Sequence, residues 1–89
     1  MSVLVKIDGD GLGRPTEHDG RYVVSWNPNT KCGQLHVVST DDPASARRFY
    51  DMREALDEWN AVSSVDRIRP DGFPNRPLSA LTITLEVVK

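Results

Sequence analysis

The chain has 89 residues, of which 38% are hydrophobic and 27% are charged, and its formal net charge at pH 7 is −2. This length fits a single domain, residues 1–89, with one modest hydrophobic core. The mild negative charge argues against a dedicated nucleic-acid binder, which usually presents a basic face, and it is too small for a mimic of DNA.

The first half of the chain predicts three strands. Residues 3–7 alternate between apolar and other side chains, which is typical of a strand with one buried face. Residues 8–20 are rich in Gly, Asp and Pro and predict a flexible loop. Strands are expected again at 21–26 and 34–39, joined as a hairpin by the turn-forming residues 27–33. In the second strand we expect Tyr22, Val24 and Trp26 to share one side.

Two helical segments follow. Residues 40–50 contain a helix start, because Asp41 or Asp42 can cap a helix and Pro43 fits a first turn, where no N–H donor is needed. A second start lies at Asp51, which has capping-box spacing to Glu54. Over residues 51–64 an apolar stripe at helical spacing predicts the main helix; its members are Met52, Ala55, Leu56, Trp59 and Val62.

Residues 80–88 close the chain as the clearest strand, with Leu81, Ile83, Leu85 and Val87 predicted on one face. The predicted order is therefore β-β-β-α-α-β. The polar alternation in the strands implies one face exposed to water. We expect an α+β fold, with a small antiparallel four-stranded sheet and one main helix packed on one face.

No motif in the sequence indicates a catalytic reaction. Nucleophilic catalysis needs Ser or Cys beside an oriented base, but His18 falls in the predicted loop and His36 in a strand, facing solvent. Cys32 lies in a turn and is expected to be a free thiol with a structural or neutral role. Residues 8–13, "DGDGLG", match a calcium loop or a dinucleotide fingerprint only in part, and a strand-exit turn is the simpler interpretation. We expect no enzyme activity, no cofactor and no metal.

The segment "RIRPDGFPNRP", residues 67–77, is unusual because it holds three arginines and three prolines. "RPDG" (69–72) predicts a type I turn, and the prolines stiffen the flanking backbone. One interpretation is a structural connection, extending over residues 67–79, whose arginines bind backbone carbonyls. The other is a rigid recognition loop in which Arg69, Phe73 and Arg76 bind a partner.

The predicted main helix carries an acidic face, formed by Glu54, Asp57 and Glu58. Such a face is usually only solvated. It is also a second candidate surface for a partner, because Glu54 and Glu58 repel each other mildly at i,i+4 spacing.

Three stretches resemble a group of small uncharacterised phage and prophage proteins. They are "WNP" at 26–28, residues 39–59, and "RPDGFPNRPLSALT" at 69–82. The group shares a Thr-x-Asp-Pro…Ala-x-x-Phe…Ala-x-x-x-Trp core and an Arg-Pro-Asp-Gly-x-Pro-Asn-Arg-Pro-Leu-x-Ala tail, and the match spans roughly residues 21–88. The resemblance implies an origin in a mobile element and assigns no reaction.

These observations favour a phage- or prophage-encoded accessory protein that acts by protein–protein binding in the cytoplasm of a host cell, away from membranes. Its N-terminal apolar run is too short for a signal peptide or a membrane span. The expected partner is a host protein or ribonucleoprotein complex, and the expected action is stoichiometric inhibition of a defence component such as a CRISPR complex. The alternative is a nucleic-acid-binding accessory module that places arginines on phosphates; they are Arg47, Arg48, Arg67, Arg69 and Arg76.

Overall fold

The computed structural model describes residues 2–88. Its strands are β1 (Ser2–Asp10), β2 (Tyr22–Asn27), β3 (His36–Thr40) and β4 (Leu81–Val88), its α-helix is α1 (Met52–Trp59), and two short 3-10 helices span Pro43–Ser45 and Pro77–Ala80. The four strands form one antiparallel sheet in the order β3-β2-β1-β4. The predicted α+β class is confirmed. In the described residues, no helix has the length and apolar character needed to cross a bilayer.

The core lies on one face of the sheet, over its central strand β1. Val3, Val5 and Ile7 are all but fully buried there, as their alternation predicted. Ala55 and Trp59 of α1 belong to the same buried cluster, and Ile83 and Leu85 of β4 pack against it from the adjacent strand; the other buried members are Val23, Phe49, Leu78 and Leu81. β1 extends to Asp10, so the first loop is shorter than the expected 8–20.

A short extended segment, residues 47–49, bridges β1 and β2. Phe49 exchanges two backbone hydrogen bonds with Val3 of β1, each 2.9 Å long, and the N–H of Arg47 donates to the carbonyl of Val23 in β2 at 2.9 Å. Phe49 is buried, and its ring lies 5.3 Å from the ring of Trp26. The segment satisfies backbone groups on both strands and anchors an aromatic side chain in the core.

The predicted face of β2 is wrong. A register shift immediately after Val23 reverses the alternation of the strand, because a bulge inserts one extra residue. Val23 is therefore fully buried, and Trp26 packs against the core. Tyr22 lies on the opposite face, where its hydroxyl donates to the carboxylate of Glu86 at 2.9 Å.

The first predicted helical segment contains only the 3-10 helix Pro43–Ser45. Asp42 caps it by accepting a hydrogen bond from the N–H of Ala44 at 3.0 Å, as expected of an N-cap. Ala46, which follows, already has extended backbone angles (φ −74°, ψ 152°). The chain therefore turns once and then runs out into the bridging segment 47–49.

The main helix begins as predicted and ends early. Asp51 accepts a hydrogen bond from the N–H of Glu54 at 2.8 Å, which fixes the first turn. Asn60 ends the helix, and its side-chain amide donates to the carbonyl of Leu56 at 3.0 Å. α1 has eight residues, and of the predicted apolar stripe only Ala55 and Trp59 are buried. Met52, Leu56 and Val62 remain exposed.

Candidate functional site

Residues 67–75 fold into a tight hairpin. The N–H of Arg69 donates to the carbonyl of Phe73 at 2.8 Å, and the N–H of Gly72 donates to the carbonyl of Arg69 at 2.9 Å. Gly72 has φ +88°, the left-handed backbone that a three-residue hairpin loop requires. Asp71 accepts a hydrogen bond from the N–H of Phe73 at 3.1 Å. The turn predicted at "RPDG" is confirmed.

A single buried side chain, Asn75, fastens this hairpin to the rest of the protein. Its exposed fraction is 4%. Its side-chain amide donates to the backbone carbonyl oxygens of Asp66 at 2.8 Å and Thr30 at 3.1 Å. The backbone carbonyl of Asn75 accepts from the N–H of Ser63 at 2.9 Å. The amide therefore joins the hairpin to the connection between β2 and β3.

Two further hydrogen bonds tie the 28–35 connection to the residues just before the hairpin. The carboxylate of Asp66 accepts from the N–H of Cys32 at 2.9 Å, and the side-chain oxygen of Asn29 accepts from the N–H of Ser64 at 3.0 Å. Both bonds link residues more than thirty positions apart in the chain. The connection therefore contacts both the hairpin, through Asn75, and the segment that leads into it.

The expected role of the arginines in this segment is wrong. We expected Arg67, Arg69 or Arg76 to bind backbone carbonyls, but within residues 2–88 none of their side chains does so. Asn75 supplies those bonds instead, since a short amide can be buried without burying a charge. Arg69 pairs with the carboxylate of Asp71 at 2.8 Å, and all three arginines are exposed.

A cleft of about 370 Å³ lies between the 67–75 hairpin and the 28–35 connection. Two residues predicted from the sequence, Arg69 and Arg76, line it together. Phe73 belongs to the same hairpin but does not line the cleft, and 65% of its surface is exposed. Among the described residues no Asp or Glu lines the cleft, but Asp71 pairs with Arg69 from just outside it, so the positive charge of the lining rests mainly on Arg76. The other lining residues include Cys32, Gln34, Leu35 and Asn75.

The acidic face of α1 is a separate surface. Glu54, Asp57 and Glu58 are exposed, and none forms an ion pair within residues 2–88. None of the residues that line the cleft belongs to α1. Met52 and Leu56 of the same helix are 47% and 43% exposed. The helix therefore displays carboxylates together with apolar side chains.

The five arginines of the nucleic-acid alternative have different neighbours. The guanidinium of Arg47 lies over the rings of Trp26 and Phe49, 5.6 and 5.9 Å from their centroids. Arg48 donates to the hydroxyl of Ser2 at 2.9 Å. Only Arg69 and Arg76 share the cleft.

The "DGDGLG" segment forms a closed turn. The carboxylate of Asp10 accepts from the N–H of Leu12 at 2.9 Å, and from the N–H and Nε–H of Arg14, each at 2.8 Å. The backbone N–H of Arg14 is the main cause that lowers the pKa of Asp10 below its usual value. These bonds fit the strand-exit turn. In the described part of the chain, no three His, Cys, Asp or Glu side chains lie together as a metal site requires.

One long-range contact, between His18 and Ser39, has no local signal in the sequence. His18 Nδ1 lies 2.7 Å from the Ser39 hydroxyl, and Arg21 donates to that hydroxyl at 3.0 Å and to the carbonyl of Ser39 at 2.9 Å. Glu17 reaches the other ring nitrogen only at 3.5 Å and is largely exposed. The arrangement fastens the first loop to β3, and Arg21 holds the hydroxyl from a second side.

No protein-family model, curated protein or solved structure matches the chain. The resemblance to phage and prophage proteins therefore stays a prediction from the sequence motifs. Two surfaces remain as candidates: the hairpin with its cleft, and the mixed acidic and apolar face of α1.

Proposed function

We propose that the protein acts by binding another protein, and that the 67–75 hairpin with its cleft is the main binding surface. The observation that carries this proposal is the fixed conformation of the hairpin. Asn75 and the turn at Gly72 hold it in place while Phe73 remains exposed. A loop that is ordered before binding loses little conformational entropy on association.

The charge of the cleft indicates what it binds. Arg76 lines it without an ion-pair partner among residues 2–88, whereas Arg69 lines it while paired with Asp71 at 2.8 Å. A guanidinium binds a carboxylate through two parallel hydrogen bonds, and binds it more strongly where water is excluded. The partner segment is therefore acidic where it enters the cleft, and it has an apolar contact for Phe73.

The motif resemblance supports a more specific form of the proposal. A small phage or prophage protein that binds a host component acts by occlusion, as a stoichiometric inhibitor. The target class is a host defence protein or ribonucleoprotein, such as a CRISPR complex. A standard interface of about 800 Å² per partner is within reach of a chain of this size.

The acidic face of α1 is the second candidate surface. Met52 and Leu56 supply exposed apolar contacts beside the buried stripe of the helix. Glu54, Asp57 and Glu58 supply exposed negative charge on the side of the helix turned away from that stripe. A basic partner would bind here.

The nucleic-acid alternative has less support from the geometry. Arg47 is stacked on aromatic rings, Arg48 is bonded to Ser2, and Asp71 neutralises Arg69. Phosphate binding would show a steep loss of affinity as the salt concentration rises. Retention on DNA that is weak and independent of salt would eliminate this alternative.

Capture from host lysate tests the proposal with matched variants. Wild-type protein is compared with Phe73→Ala/Arg76→Ala, with Glu54→Lys/Glu58→Lys, and with Leu12→Ala, which removes an exposed apolar side chain in the first loop. We expect the hairpin variant to lose a partner that wild type and Leu12→Ala retain in a fixed ratio. If only the helix variant loses the partner, the binding surface is the acidic face of α1 and not the hairpin.

A further inference from the structure

The edge of β4 carries unpaired backbone groups. β4 is an outermost strand of the sheet, paired on one side with β1. Val3 and Ile7 of β1 use their N–H and C=O groups on the other side, toward Phe49 and toward the residues 20 and 21. The pairs Val3↔Val87 and Ile7↔Ile83 therefore exchange no hydrogen bonds.

The peptide groups of Ile83, Leu85 and Val87 consequently point away from β1, toward the open edge, because successive residues of a strand alternate. Leu81 also points outward, but its carbonyl accepts from the indole N–H of Trp59 at 3.4 Å. Trp59 thus covers one end of the edge. No backbone hydrogen bond joins Ile83, Leu85 or Val87 to a loop or helix in the described chain.

β4 has few of the usual protections of an edge strand. Proteins block such edges with charged side chains, especially lysine, with proline, with bulges in the edge strand or with very short strands. β4 has eight residues, "LTITLEVV", with no proline, lysine or glycine; its one charged residue is Glu86, and the bulge in this ladder lies in β1. The opposite edge strand, β3, has only five residues.

We propose that β4 pairs antiparallel with β4 of a second copy of this chain, about a two-fold axis at Leu85. In this register Leu85 faces Leu85 of the second copy, and Ile83 faces Val87 in both directions. Each of these three pairs exchanges two hydrogen bonds, so every free group from 83 to 87 is satisfied. The two sheets become one continuous sheet.

Side-chain chemistry selects this register. On the polar face it sets Thr84 opposite Glu86, a pair without like charges. An axis at Glu86 would set two carboxylates against each other, which is destabilising. An axis at Ile83 would need the Leu81 carbonyl, which Trp59 already holds. On the apolar face, Val87 is 44% exposed and gains cover from Ile83 of the second copy.

The dimer rests on a single ladder, so its interface is small. Interfaces below about 1,200 Å² of total buried area are typically weak and transient. The mass of the particle should therefore depend on protein concentration. The hairpin lies outside this contact, so dimer formation and the proposed partner binding can fail independently.

Sedimentation equilibrium from about 5 to about 500 µM tests the proposal, because a dimer of this kind follows mass action. We expect a shift from monomer to dimer over that range. Val87→Lys should abolish the shift. Val38→Lys is the matched control, since Val38 is 45% exposed and lies on the other edge strand. A monomer at all concentrations, or a dimer that Val87→Lys leaves intact, overturns the proposal.

Thr84 tests the register. Thr84→Lys faces Glu86 of the second copy and should strengthen the dimer, whereas Thr84→Glu should weaken it, each about fivefold because the two-fold axis doubles the effect. Unfolding temperatures check that both variants are folded. The dimer should be tightest with lysine at position 84, intermediate with threonine and weakest with glutamate. Any other order of dimer affinity would overturn the register.

Discussion

The side-chain amide of Asn75 donates a hydrogen bond to the backbone carbonyl of Asp66 at 2.8 Å, and this partly buried contact closes the base of the 67–75 hairpin. The second donor of the same amide reaches the carbonyl of Thr30 at 3.1 Å. One side chain thereby fixes the position of the hairpin relative to the loop that forms the other wall of the cleft.

Asn75→Ala should therefore destabilise the protein by about 2 kcal/mol, because it leaves two partly buried carbonyls without their donors. In a domain of this size the loss lowers the melting temperature by roughly 10 °C or more. Asn29→Ala is the control, since it removes one exposed bond between the 28–35 connection and Ser64, just before the hairpin, and should cost about 1 kcal/mol or less. Equal melting temperatures for the two variants would show that Asn75 does not hold the hairpin.

Gly72→Ala should cost about 1–2 kcal/mol, because φ at this position is +88° and only glycine adopts it without strain. Nothing lies within 4 Å of the added methyl group, so the cost comes from the backbone alone. Gly11→Ala is the matched control: its methyl would meet the carbonyl of Ala80 at 3.7 Å, an ordinary contact, and its φ is not in the left-handed region. Urea unfolding of both variants measures the difference, and a Gly72→Ala variant as stable as Gly11→Ala would contradict the strained turn.

The hydroxyl of Tyr22 donates to Glu86, and this bond raises the pKa of Tyr22 above its ordinary value of 10.0. A raised pKa in the folded state means that the bond contributes stability below pH 10, and that this contribution is lost as pH rises through the folded pKa. Glu86→Gln should lower the pKa of Tyr22 toward the ordinary value. Absorbance titration of tyrosinate in a Tyr50→Phe background, which isolates Tyr22, measures the change; an unchanged midpoint would rule out the contact.

Much of the sheet could be predicted from the sequence because its signals are local. The alternation in β1 and β4 depends on neighbouring residues, and so do the cap at Asp51 and the turn ending at Gly72. The signal for each of these features lies within a few residues of the chain. The structure confirms them.

The remaining features depend on contacts between distant segments. The bulge after Val23 follows the pairing of β2 with β3, and the position of Phe49 depends on strands that lie far away in the chain. Asn75 lies between Pro74 and Arg76 in a polar stretch of the sequence, and no local pattern predicts that it is buried. Met52 and Leu56 lie within α1 and are nevertheless exposed, because burial depends on which distant segments pack on that side of the helix.

Calorimetric titration of the captured partner tests the central claim most directly. We predict saturation at one chain per partner complex for wild type, and an affinity lower by about 2 kcal/mol, roughly 30-fold, for Phe73→Ala/Arg76→Ala, because interface anchors typically carry that much. Both proteins should melt at the same temperature to within the small effect of exposed substitutions. Unchanged affinity in a variant that melts like wild type would contradict the assignment to the hairpin, and full inhibition of the partner at strongly substoichiometric ratios would contradict binding as the mode of action.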